Sequence, residues 1–141
     1  MSLLVLAAMS AAAAAAPVHT VNLEHRGSTY TVDYRSRVET STRSIGISPP
    51  TRPSSQRCVM TATVSVERAI TDGGHELTAK LPGKETYTRQ LPGSCSGRDA
   101  QLAKLVEDKS GAINAHLAQL AAKDRSHAIA AIDAAHHFAS N

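Results

Sequence analysis

The spacing of apolar residues changes once along this chain, and it changes at Cys95. Before that point, over 18–23, 28–40, 58–70, 76–81 and 84–91, apolar and polar residues tend to alternate with the two-residue period of half-buried strands. After it, Leu102, Leu105, Val106, Ile113, Leu117 and Leu120 recur every three or four residues, which places them in one stripe of a helix. A chain patterned this way makes an antiparallel sheet and then lays a helix on one face of it. The spacing predicts an α+β fold, a β-meander of about four to five strands packed by a long C-terminal helix.

The strand faces are well separated. Tyr30, Val32, Tyr34 and Val38 share one face, with Thr29, Thr31, Asp33 and Arg35 on the other, and Arg26-Gly27-Ser28 supplies the preceding turn. Pro49, Pro50 and Pro53 cannot donate to a ladder, so 44–56 reads as an exposed Pro/Ser-rich loop. Cys58 then opens a strand whose apolar face holds Met60, Ala62, Val64, Val66 and Ile70, interrupted only by Arg68. Asp72-Gly73-Gly74 and Pro82-Gly83 punctuate the later strands, and Pro92-Gly93 ends the sheet.

In the helical part, 97–138, Ser96 is placed to cap and Asp99 to favour the N-terminal dipole. Asp124 falls in the middle of the apolar stripe, while Ile129, Ile132 and Ala135 define a differently oriented one. One helix over the whole stretch would be about 60 Å long, more than a domain of this size is wide. A kink or break is therefore expected near 123–126.

Residues 1–15 combine Leu3, Leu4, Val5 and Leu6 with a run of alanines, the composition of a signal peptide cleaved before Ala16. The apolar stretch falls short of a transmembrane span. The remainder of the chain, 16–141, is long enough for one domain, and the mature protein is expected to be periplasmic or secreted with no transmembrane segment. Its core has no Trp, one Phe and three Tyr to draw on, so it buries little area per side chain and gains from a staple. Cys58 and Cys95 read as a structural disulfide, worth on the order of 3 to 4 kcal/mol in the chain-entropy model.

Three kinds of chemistry compete for the remaining residues. Gly93-Ser94-Cys95-Ser96-Gly97 has the form G-x-C-x-G between strand and helix, which would suit a nucleophilic Cys95 with His75 or His116 as base. Asp133, His136 and His137 cluster on the last helix, and Asp133 and His137 share a face at i, i+4, so they are the candidate metal ligands. The bland reading of His136 and His137 is as cationic residues at a helix C-terminus. Lastly, residues 24–57 hold six arginines against Glu24, Asp33 and Glu39, a surplus that could meet an anionic surface.

Nucleic acid is disfavoured by export and by the scarcity of stacking aromatics. No cofactor motif is present. The reading that joins these features is a small exported, non-catalytic domain, an interaction or structural module of the cell envelope whose partner is an envelope protein or an anionic surface. A Cys95 hydrolase or transferase and a metal-binding protein are the alternatives.

Overall fold

The computed structural model describes residues 16–140, so the leader expected over 1–15 lies outside the described residues. The chain forms β1 (Val18–His25), β2 (Ser28–Ile45), β3 (Arg57–Asp72), β4 (His75–Lys80) and β5 (Glu85–Pro92), then α1 (Asp99–Asp108) and α2 (Ser110–Ala139). All strand pairings are antiparallel. β1 to β4 follow one another as a meander, while β5 returns to β3 rather than adding to β4. Glu67–Asp72 of β3 pair with β4 and Arg57–Val64 pair with β5, so these two short strands lie end to end along one edge of β3.

Local chemistry explains the turns. Arg26 and Gly27 both have positive φ, as do Gly73 and Gly74, and this is the mirror-image turn whose twist matches two-residue hairpins. Leu81 N–H donates to Val66 O, which keeps the chain against β3 as it passes from β4 to β5.

Along β2 and β3 the alternate residues Tyr30, Val32, Tyr34, Met60, Ala62, Val64, Val66 and Ile70 are buried beneath the helices. The opposite face is polar and rich in threonine. The core is divided in two. The larger cluster joins Leu23, Tyr30, Val32, Tyr34, Val64, Val66 and Ile70 to Ile113, Leu117 and Ile132 of α2. The smaller contains Cys58, Met60, Ala62 and Leu105, and Val38 and Tyr87 border both.

Two local expectations are corrected. Helix α2 runs unbroken through 123–126, and the interruption falls instead at Lys109, between α1 and α2. Lys109 N–H is shared between the carbonyls of Leu105 and Val106, its ammonium lies 5.7 Å from the Tyr87 ring centroid, and the poor helix formers Ser110 and Gly111 follow. The length argument for a break fails because the sheet is narrow and long. An 18-residue strand spans about 60 Å and a 30-residue helix about 45 Å. Ser96 does not cap α1 either. The N-cap position is Arg98, with no side-chain cap, because Gly97 adopts a left-handed φ and the Arg98 N–H turns back to Cys95 O.

Candidate functional site

The residues singled out as metal ligands are brought to the end of the sheet where β1 turns into β2, and each of two finds a partner there. Asp133 Oδ1 accepts from His25 Nε2 and from Arg26 Nε, both at 2.8 Å. Tyr30 Oη and His136 Nε2 are hydrogen-bonded at 2.7 Å. Arg26, the one non-glycine residue with positive φ among the described residues, takes that angle as the first central residue of the β1–β2 turn, and its guanidinium pairs with Asp133. The hydrogen bond from His25, followed by that from Arg26, lowers the Asp133 pKa from the usual carboxylate range. His137 stacks edgewise on Phe138. Among the described residues no three His, Cys, Asp or Glu side chains gather as a metal set, and the arginine at Asp133 opposes a cation there. The arrangement fastens the end of α2 to the β1–β2 turn.

Cys58 and Cys95 are joined in a disulfide, with Cα atoms 4.8 Å apart. The bond ties the start of β3 to the segment leading into α1, and Cys95 N–H also donates to Ser44 Oγ of β2. A disulfide sulfur carries no thiol, so Cys95 has no nucleophile to offer in this state. The suggested bases are also misplaced. His75 sits at the other end of β3, about 45 Å from Cys58 along the strand, and His116 Nδ1 lies 3.4 Å from Glu85.

The structure builds a site that neither stripe of the sequence announces. Arg68, the interruption in β3, and Asp124, the interruption in α2, face each other. Arg68 Nη1 donates to both carboxylate oxygens of Asp124 at 3.0 and 2.8 Å, with the two side chains 9% and 10% exposed. Tyr34, directly opposite Arg68 across the ladder, donates its hydroxyl to Asp124 Oδ2 at 3.0 Å. Burial first, then that hydrogen bond and the Asp124 charge, push the Tyr34 pKa upward, so the phenol stays a donor at neutral pH.

The buried pair is incompletely satisfied. A guanidinium has five N–H donors in a planar fork, and only Nη1 is engaged here. Nε is buried without an acceptor, and Nη2 has none among the described residues. Arg68 and Asp124 both line a cleft of about 340 Å³ between α2 and β4, together with Ala79, Leu81, Pro82, Leu120 and His127 and the exposed Lys80 and Lys123. On the other flank of α2, alanines 118, 121, 122 and 128 are too short to close on β1 and β2, leaving a second groove of about 220 Å³.

A different surface forms at the far end of the β2–β3 hairpin. Arg26, Arg35 and Arg37 each pair with a carboxylate, those of Asp133, Glu76 and Glu39. Arg43, Arg52 and Arg57 meet none among the described residues. Register places Arg43 against Val59 and Ile45 against Arg57, so the two arginines share the outer face of the hairpin as diagonal neighbours. The loop beyond is closed by Ser55 N–H to Ile47 O at 2.9 Å, and Gly46 is required at its base because a Cβ would stand 2.5 Å from Ser55 O. Ile47 projects from it, 67% exposed.

No family model, curated protein or solved structure matches this chain. Among the described residues no helix is long and apolar enough to cross a membrane. What fold and surface define is an α+β domain with one disulfide, a cleft beside a buried ion pair, and a cationic hairpin tip.

Proposed function

We propose that this protein is an exported, non-catalytic module of the cell envelope that docks on anionic lipid through the tip of its β2–β3 hairpin. The observation that carries this reading is that Arg43 and Arg57, without carboxylate partners among the described residues, share the outer face at the hairpin end, next to a loop that holds the similarly unpartnered Arg52 and the exposed Ile47. Elsewhere on this strand pair the arginines are neutralised locally, so the positive field is concentrated at one end. Cationic side chains near an anionic bilayer contribute about 1 kcal/mol each, and an exposed isoleucine on the same loop can enter the interface. The disulfide suits an oxidising compartment.

Flotation of the protein with phosphatidylglycerol vesicles, at low and high salt, tests it. Binding should be lost on phosphatidylcholine vesicles and should weaken as salt rises. The Arg43→Gln/Arg52→Gln/Arg57→Gln variant should bind about a hundredfold more weakly, the equivalent of about 3 kcal/mol. Equal partition into both lipids, or an unaffected triple variant, overturns the proposal and favours an envelope protein as partner.

A further inference from the structure

A second, independent inference concerns the cleft beside α2. We infer that it binds a small amphipathic carboxylate, an aliphatic acid of medium chain length, with its head group on the free edge of Arg68 and its apolar body against Leu81 and Leu120.

Charge selects the head group. Asp124 and Arg68 offset one another, while Lys80 and Lys123 have no carboxylate within ion-pair distance among the described residues, so the cleft is net cationic. The unused donors of Arg68 are Nε–H and the Nη2–H pair. Nε–H and the Nη2 hydrogen on its side form the two-pronged fork that a carboxylate satisfies with two parallel hydrogen bonds. Leaving a buried donor without a partner costs about 1 to 3 kcal/mol. A side chain nine-tenths buried, with a carboxylate on one edge and no acceptor on the other, is a half-satisfied receptor for an anion.

The walls set the remainder of the ligand. They are mostly hydrocarbon, which rejects a compact hydrophilic anion, and a volume of about 340 Å³ is at the small end of ligand sites. The Nε atom is itself covered, so a head group engages the full fork only once the Arg68 side chain shifts toward the cleft.

The test is an amide-resolved NMR titration of the whole protein with octanoate, octanol and octyltrimethylammonium. Octanoate should shift resonances of 79–82 and 120–127 and bind at least about tenfold more tightly than octanol, the equivalent of about 1.4 kcal/mol, with no measurable binding of the cation. Lys123→Gln, which leaves the buried pair intact, should weaken octanoate severalfold. Replacing the buried group as a unit, Arg68→Met/Asp124→Leu/Tyr34→Phe, should erase the preference for octanoate over octanol. Equal affinity for octanoate and octanol in the parent protein, or shifts confined to the β1 side of α2, overturns the inference.

Discussion

The two halves of the sheet solve the same problem in different ways. The half under α2 buries a dozen side chains from three strands and a helix, and fastens the far end of that helix with Asp133. The half under α1 has four fully buried side chains, and one of them is a disulfide cysteine. The first half has enough apolar burial to hold a charge pair inside its core. In the second, the covalent bond replaces area that the sequence does not supply. A core poor in aromatics can be extended along a long sheet only if its thinner end is closed by other means.

That contrast is broken most severely by stranding one buried charge. Asp124→Asn leaves Arg68 without its counter-charge and should cost about 3 to 5 kcal/mol in urea unfolding. Replacing Arg68, Asp124 and Tyr34 together by Met, Leu and Phe should return stability to within about 1 to 2 kcal/mol of the parent. If the single and triple variants are equally unstable, the ion pair is not what organises the larger half.

Removing the disulfide should come next in size. Cys58→Ser/Cys95→Ser opens a loop with a sequence separation of 37 residues, for which chain entropy gives about 4 kcal/mol. Hydrogen exchange should show the loss first in β5 and α1, with α2 and β1 still protected. Uniform loss across both halves would mean that they form a single cooperative unit.

The smallest effects belong to the acid range. Asp133 and Asp108 both have lowered pKa values, the first chiefly through the hydrogen bond from His25 and the second chiefly through that from Arg89. Both therefore support the folded state fully above about pH 4, the usual carboxylate value, and that support fades as acid protonates them. Asp133→Asn should flatten the stability profile below about pH 4 and loosen only the last turns of α2. Asp108→Asn should do the same for α1. A fall in stability on the alkaline side in either variant would contradict the assignment.

The strand faces, the turns and the change to helix at Cys95 were legible because large apolar residues mark each period. The continuity of α2 was not. Its buried line runs through Ile113, Leu117, Ala121, Asp124, Ala128 and Ile132, and the three middle members are small or charged, so they carry almost no hydrophobic signal. The site at Arg68 was hidden for a related reason. Each half of the pair looked like a defect in its own apolar stripe, and a lone strand arginine or helix aspartate says nothing about the other. Two opposite charges interrupting two facing stripes are the available signal, and reading it requires knowing that the stripes face. Engagement of Asp133 by His25 and Arg26 is equally non-local, since more than a hundred residues separate them.

The order of elements also sets a timetable. The inner face of β1 to β3 is complete once Asp72 has been made, but Ile132 follows 60 residues later. Until α2 is in place, Tyr30, Val32 and Ile70 have no helix above them. Cys95 precedes all of α2 in the chain. Closing its bond to Cys58 early would anchor β5 and the approach to α1 while the larger face still waits for its cover, lowering the entropy of the last docking step and shortening the exposure of an aggregation-prone sheet.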